Sequence, residues 1–235
     1  MKIFGKEIGK QKYAWYKFYK KDEREIKVPN VSLYEYLVER NENNLTSLAL
    51  NYFDRKMNFN EFINYINLCA RAFRSQGIRP GDVVTICMPN TPEAVISLYA
   101  INKIGAIANM IHPLSAEEEI KQSLISTKSV MLVAVNLSYE KIKNIIDHTN
   151  VYKTIIVSPS DSMPTLLKFG YYITKGRKVV VPKKSEEYLY WNDFILKGNH
   201  YKEKVLAKTS LTPVYKEETG RKIPTVITFE IIDAN

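Results

Sequence analysis

Between residues 57 and 158, short apolar runs alternate with amphipathic helical patterns, and this alternation constrains the fold more than any other feature of the sequence. The apolar runs are continuous, as in strands that are covered on both faces. The helical patterns begin at capping residues and end at glycines or polar turns. Strand and helix alternating at this spacing predict βαβ units, so the sequence indicates an α/β fold with a parallel sheet flanked by helices.

The first helix of this region shows the pattern clearly. Asn58 and Glu61 have the spacing of a capping box, in which each side chain accepts a hydrogen bond from the other residue's backbone. Gly77 follows where a helix stop is expected. Apolar residues at helical spacing predict one buried stripe: Phe62, Ile66, Cys69, Ala70 and Phe73.

The same pattern continues along the chain. Thr91 is a cap with Pro92 in the first helical turn, Ser115 and Glu118 have the spacing of a second capping box, and Ser138 opens a further helix. The predicted strands are 83–88, 106–111, 130–135 and 154–157.

Three segments follow from these patterns: an N-terminal segment at 1–56, the βαβ-type subdomain at 57–158, and a less regular segment at 159–235. The outer segments have weaker periodicity. Their predicted elements are helices at 33–38, 163–172 and 188–196, a strand and turn at 45–53, a short strand at 178–181, a linker at 198–222 and a final strand-like run at 226–232.

The net charge of +9 is concentrated at the two ends of the chain. Residues 1–30 carry nine Lys/Arg and four Asp/Glu, net +5; residues 168–235 carry thirteen and eight, again net +5; and residues 31–167 carry twelve and thirteen, net −1. A nucleic-acid groove needs basic residues clustered on one face, so this distribution argues against nucleic-acid binding. We interpret the basic and aromatic run at 10–27 as a helix that packs its rings on the protein, with binding of nucleic acid or an anionic surface as the alternative.

Few residues carry a chemical signature. His112, His148 and His200 lie far apart and have no partner at metal-ligand spacing, so we expect no metal site. His112 lies just after a predicted parallel strand, where open α/β sheets bind ligands. Cys69 and Cys87 lie in apolar patterns, and we interpret them as reduced core residues of a cytoplasmic protein.

The sequence contains no recognisable phosphate-binding loop. Residues 5–10, GKEIGK, are one residue short between the glycines, and Gln11 replaces the required Ser or Thr. No GxGxxG turn follows a predicted strand, and no GxSxG elbow occurs. We therefore predict no catalytic residue in this chain.

A set of ordered motifs runs from residue 30 to residue 124. It includes MNFNEF at 57–62, GIRPGDVV at 77–84, MPNTPE at 88–93 and AINKIGA at 100–106. In this order the motifs resemble the core motifs of the adenylate-forming (AMP-binding) enzyme superfamily. Among its branches they look most like acyl-CoA synthetases and fatty-acid–CoA ligases, enzymes of fatty acid metabolism.

The resemblance implies an incomplete ligase fold, its N-terminal subdomain, and a two-step reaction. A carboxylate would react with ATP and Mg2+ to give an acyl-adenylate, and coenzyme A would then displace AMP. It also implies a coenzyme A path past five residues: His112, Pro113, Leu114, Lys141 and Lys143. The family's Ser/Thr/Gly-rich ATP loop does not occur in the sequence, so we expect the isolated chain to be inactive, to hold no cofactor, and to need the C-terminal part of the ligase as its partner.

Two other interpretations stay open. A non-catalytic acyl- or CoA-binding or assembly module would keep this scaffold without the chemistry, and an unrelated doubly wound α/β protein would share only the alternation. The apolar run at 226–232 predicts self-association if its strand edge is left uncovered. No apolar run approaches the roughly 20 residues of a membrane span.

Overall fold

The computed structural model describes residues 2–3, 6–7, 18, 20, 29–174, 176–202, 217–218 and 221–222. The chain forms two compact units, Met1–Asn30 and Val31–Asn235. In the first unit, strand β1 (Lys2–Ile3) pairs antiparallel with β2 (Lys6–Glu7). Apart from residues 18 and 20, the helix predicted at 10–27 lies outside the described residues, as does the strand predicted at 226–232.

The second unit follows the alternation that the sequence predicts. Its elements are α1 (Leu33–Asn41), β3 (Leu48–Tyr52), β4 (Arg55–Asn58), α2 (Phe59–Ser75), β5 (Val83–Cys87), α3 (Pro92–Lys103), β6 (Ile107–Ile111), α4 (Glu117–Ser126), β7 (Met131–Val135), α5 (Tyr139–Ile145), β8 (Lys153–Val157), α6 (Thr165–Thr174), β9 (Tyr188–Tyr190), α7 (Trp191–His200), β10 (Glu217–Glu218) and β11 (Arg221–Lys222). Short 3-10 turns lie at Asn136–Ser138, Ile146–His148 and Gly176–Lys178.

The central sheet has five parallel strands in the order β6-β5-β7-β8-β9. The parallel sheet flanked by helices is therefore confirmed. Among the described residues of the second unit, two antiparallel pairs lie outside this sheet: the β3–β4 hairpin and the minimal β10–β11 pair. The hairpin turns at Phe53 and Asp54, both with positive φ, as a two-residue hairpin loop requires.

Helices cover both faces of the sheet, and each face has its own hydrophobic cluster. Helices α2, α3 and α7 form the larger cluster, which includes Cys69, and helices α4 and α5 form the smaller one, which includes Cys87. Strand β7 contributes side chains to both clusters. Val133 lies in the larger cluster, and its neighbours Leu132 and Ala134 lie in the smaller one. Both cysteines are buried and free, as predicted.

The predicted capping box of α2 is confirmed. The Asn58 side chain accepts from the Glu61 backbone N–H at 2.8 Å, and Glu61 accepts from the Asn58 backbone N–H at 3.0 Å. The five residues predicted as its apolar stripe are all buried.

The predicted box at Ser115 and Glu118 is wrong by one residue. Helix α4 begins at Glu117, and Glu119 accepts the Ala116 backbone N–H at 3.1 Å. The physical reason is a turn in which the Ser115 N–H donates to the His112 carbonyl at 3.0 Å, which holds Ser115 outside the helix.

The C-terminal predictions are only partly confirmed. The helix predicted at 163–172 exists as α6, two residues later. The strand predicted at 178–181 is wrong, because Gly176–Lys178 forms a 3-10 turn and the fifth strand is β9, within a segment predicted to be helical. Helix α7 continues to His200, into the predicted linker.

Within the described ranges, no helix combines the length and the hydropathy needed to cross a membrane.

Candidate functional site

The carboxyl edge of the parallel sheet is the part of the fold where a ligand is expected. Strand β6 lies on one side of β5, and β7, β8 and β9 lie on the other, so the chain changes direction beside β5. Open α/β sheets bind ligands in the crevice outside such a switch point. Four loops meet at this edge: 88–91, 112–116, 136–138 and 158–164.

The loop after β6 contains three of the predicted site residues. His112 is exposed, and its Nδ1 accepts from the Leu114 backbone N–H at 3.2 Å, so the imidazole shapes its own loop. Pro113 is buried, and its carbonyl accepts from Ser138 Oγ at 3.2 Å. Leu114 is 80% exposed. Pro113 is therefore held in place against Ser138, while Leu114 at the tip of the loop is open to solvent.

Helix α5 brings Lys141 to this loop. Lys141 Nζ donates to the Ser115 carbonyl at 2.7 Å and reaches the Leu114 carbonyl at 3.5 Å. Lys143 points elsewhere: its Nζ pairs with Glu140 at 2.7 Å on the exposed side of the helix. The structure thus gathers four of the five predicted residues and places Lys143 apart.

Cys87 lies beneath the same edge. Burial raises the pKa of its thiol to about 11, although the charge of Lys141 and a hydrogen bond with Ser138 favour the thiolate. A thiol in this state is a packing group rather than a nucleophile.

A buried polar pair that sequence reasoning missed lies under the loop after β8. Ser162 Oγ donates to Glu93 Oε1, and Glu93 in the first turn of α3 is only 1% exposed. Glu93 Oε2 has no hydrogen-bond partner among the described residues. Burial raises the pKa of Glu93, although the bond from Ser162 and other hydrogen bonds oppose the rise. The partners are 69 residues apart, so no local pattern signals the pair.

A cleft of about 480 Å³ opens at the ends of β7, β8 and β9 beneath α6. Asn136, Ser158 and Ser160 supply polar groups on the sheet side, and Phe169 and Tyr172 of α6 supply apolar surface. Asn136 Oδ1 is buried without a hydrogen-bond partner in the described part of the chain. A second cleft of about 510 Å³ shares Asn136. Mostly apolar walls with a few polar groups suit binding of an organic ligand.

The described residues include no group of three or more His, Cys, Asp or Glu side chains that could hold a metal ion.

Comparison with known proteins places this fold in a family. Residues 37–190, more than half of the chain, match the AMP-binding enzyme family. The chain belongs to the AMP-binding enzymes. The resemblance drawn from the ordered motifs is thereby confirmed.

Named relatives of this AMP-binding chain include a coenzyme A ligase and a coenzyme A synthetase. The long-chain-fatty-acid–CoA ligase of Bacillus subtilis (strain 168) is 25% identical over 155 residues, which cover 66% of this chain and 28% of that ligase. The acetyl-coenzyme A synthetase of Bartonella quintana (strain Toulouse) is 31% identical over 102 residues, which cover 41% of this chain and 16% of that synthetase.

Solved structures of the family share the fold. The anthranilate CoA ligase AuaEII, in complex with anthranoyl-AMP, superposes with a TM-score of 0.52 at 25% identity, over 55% of this chain and 25% of that ligase. This AMP-binding chain thus spans less than a third of each of these three relatives.

Proposed function

We propose that this chain is the N-terminal part of an AMP-forming acyl-CoA ligase, which joins a carboxylic acid to coenzyme A through an acyl-adenylate. The observation that carries the proposal is the match of residues 37–190 to the AMP-binding enzymes. The named relatives act on acids as different as acetate and long-chain fatty acids, so the proposed substrate is the class of carboxylic acids. ATP, Mg2+ and coenzyme A are the proposed co-substrates and cofactor of the whole enzyme.

Adenylation is proposed to depend on a part of the ligase that the sequence does not contain. Its 235 residues include no Ser/Thr/Gly-rich loop ending in Lys, and phosphate groups need such a cradle of backbone N–H donors. The proposed partner of the chain is therefore the C-terminal part of the ligase.

Carboxylate-dependent exchange of pyrophosphate into ATP tests this dependence. We expect the 235-residue chain alone, with mixed carboxylates and Mg2+, to give only background exchange, and an intact relative assayed in parallel to give a clear signal. Exchange by the isolated chain above background would show that it carries adenylation by itself.

The coenzyme A path is proposed to pass five residues: His112, Pro113, Leu114, Lys141 and Lys143. The exposed tip of the 112–114 loop and the proximity of Lys141 support this path, because a cation beside an open loop suits the nucleotide phosphates. Lys143 is included for its charge on the same helix, although its amine pairs with Glu140.

Coenzyme A binding to variants of the full-length ligase tests the path. We expect Lys141→Ala to weaken binding by roughly tenfold or more, the scale of one charge-assisted hydrogen bond, as measured by calorimetry. Lys56→Ala, at an exposed site on the β4 strand, is the matched control and should leave the affinity unchanged. Unchanged affinity in both His112→Ala and Lys141→Ala would remove the path, whether or not the ligase proposal stands.

A cytoplasmic location is part of the proposal. Two buried, free thiols support it, since proteins of oxidising compartments tend to use cysteine in disulfides.

A further inference from the structure

Helix α6 exposes an apolar face that the rest of the described chain does not cover. Leu166, Phe169 and Ile173 recur at i, i+3 and i+7 and therefore share one face of the helix. They are 81%, 64% and 47% exposed. No residue of α6 is fully buried. Tyr171 is partly buried, and the other residues of the helix are exposed. A soluble helix normally turns such a face towards a core.

The apolar face continues into the segment that follows. Val180 and Val181 are 55% and 39% exposed, and Tyr172 of the helix is 55% exposed. Phe169, Tyr172 and Val181 line the first cleft and Val180 lines the second, so these exposed apolar groups adjoin one another and mark an interaction surface.

Cations outnumber acids around this face, where Glu140 of α5 lines a cleft together with Lys178 and Val180. Residues 162–184 contain six Lys/Arg and no Asp/Glu. The Arg177 guanidinium lies 5.4 Å from the centre of the Tyr172 ring, at the border of the apolar face. Lys184 pairs with Asp193 of α7 at 2.6 Å, so the positive charge at this face comes from the other cations, such as Arg177 and Lys178.

We propose that α6 and the segment after it form a docking surface for a bilayer that contains anionic lipids. An amphipathic helix with apolar and aromatic residues on one face and flanking Lys/Arg lies in the interfacial plane of a membrane. The cations complement the negative potential of the cytoplasmic leaflet, which suits the proposed location. An apolar protein surface as the occupant would cover the apolar groups but would leave the net positive charge of residues 162–184 without a partner. This inference goes beyond the ligase proposal and does not depend on it.

Co-sedimentation of the 235-residue chain with vesicles tests the surface. We expect binding to phosphatidylcholine vesicles that contain phosphatidylserine, weaker binding to pure phosphatidylcholine, and release by salt. Residues 1–30 also carry net +5, so background binding is expected and the differences between variants decide the outcome.

Two double variants separate the contribution of the cations from that of the apolar side chains. Arg177→Gln with Lys178→Gln should weaken binding by roughly 25-fold, about fivefold for each cation. Leu166→Gln with Phe169→Gln should weaken it by at least about tenfold, because both side chains leave the apolar interface. Every one of these positions is exposed, so the fold should persist.

Matched controls lie on the β3–β4 hairpin. Arg55→Gln with Lys56→Gln removes the same charges from another exposed Arg-Lys pair, and Leu48→Gln removes a leucine that is 54% exposed. Both controls should bind vesicles as the unaltered chain does.

A direct readout uses Phe169→Trp. Its fluorescence should shift to shorter wavelength with phosphatidylserine vesicles, because the indole enters the interface. The proposal is overturned if the unaltered chain ignores vesicle charge, or if the α6 variants bind like the hairpin controls. It is also overturned if the chain does not bind vesicles and sedimentation shows a dimer that Leu166→Gln dissociates, since the face would then join two copies.

Discussion

At the scale of single residues, the buried carboxyl of Glu93 links two parts of the carboxyl edge. Its bond from Ser162 fastens the loop after β8 to the start of α3. Asp161, in the loop after β8, is a half-buried acid, and burial raises its pKa above the ordinary 3.8. Burial similarly raises the pKa of Glu93 above the ordinary 4.5. Both acids are therefore held in surroundings that disfavour their charge.

Stability should consequently fall as pH rises. Above pH 4.5 the unfolded chain releases the Glu93 proton while the folded chain still holds it, so the free energy of unfolding decreases up to the raised pKa. We expect Glu93→Gln to reduce this decrease, and Asp161→Asn to remove the part due to Asp161. Urea unfolding at a series of pH values from 4.5 upwards measures the free energy of unfolding of each variant. An unaltered pH dependence in Glu93→Gln would contradict the shift.

Asn109 of β6 is a second buried polar residue whose role is structural. Its Nδ2 donates to Thr85 Oγ1 at 2.9 Å and to Ser123 Oγ at 3.1 Å, which links β6 to β5 and to α4. Thr85 also shares a 2.6 Å hydrogen bond with Ser129. Such a network is stable only while each member is satisfied.

We expect Asn109→Ala to lower the free energy of unfolding by about 1–3 kcal/mol, because buried hydroxyls lose a partner. The matched control is Asn51→Ala, which changes an exposed strand residue of β3 and should alter stability by less than about 0.5 kcal/mol. Equal effects in a urea titration would show that the network does not stabilise the sheet.

At the scale of elements, α7 packs so closely on α2 that only glycine fits at the crossing. A Cβ at Gly198 would lie 2.3 Å from the Leu68 carbonyl oxygen and 3.0 Å from the Ala72 nitrogen. The Gly198 carbonyl also accepts from Arg71 Nε at 3.0 Å. These contacts fasten α7, near the end of the described chain, to α2, the first helix of the α/β region.

Gly198→Ala should lower the free energy of unfolding by about 1–3 kcal/mol or more, because two backbones must separate. Gly170→Ala is the control, since a Cβ there meets no atom within 4 Å in helix α6. That change should stabilise the protein by up to about 1 kcal/mol through helix propensity. Thermal unfolding compares the two, and equal stability of both variants would contradict the close packing.

At the scale of the whole molecule, the two faces of the sheet carry cores of different size, and each contains one cysteine. Cys69 and Cys87 are both 0% exposed. Cys87 lies in the smaller cluster under the short helices α4 and α5. Short helices with fewer buried partners open at lower free energy than long, well-packed ones.

We expect both thiols to resist a thiol reagent in the native state, and Cys87 to react faster than Cys69. Mass spectrometry of labelled peptides gives the two rates, with the chain in denaturant as the reference for full reactivity. Equal rates would instead show that both layers open together as one cooperative unit.

The sequence predicted much of the fold because many of its signals are local. The capping pair Asn58 and Glu61 is three residues apart, and the stripe of α2 repeats within one helix. Strand β9 was missed because its place is set by parallel pairing with β8, more than thirty residues earlier. The Tyr-Leu-Tyr run of β9 is directly followed by α7, so the local periodicity predicted a single helix over both elements.

The candidate site likewise contains residues that local sequence signals predict and residues that they do not. His112 was predicted because a residue that follows a parallel strand must lie at the carboxyl edge. Glu93 with Ser162 was not predicted, because only the folded sheet brings residues 69 positions apart into contact.

The sequence by itself determined the parallel α/β architecture, the family and the positions of most helices, because periodicity and caps act over a few residues. The tertiary structure alone decided which loops meet at the carboxyl edge, that Lys141 reaches the 112–114 loop while Lys143 does not, and that α6 keeps its apolar face exposed. These depend on strand order and on burial, which are properties of contacts between distant segments. No local pattern of side chains specifies them.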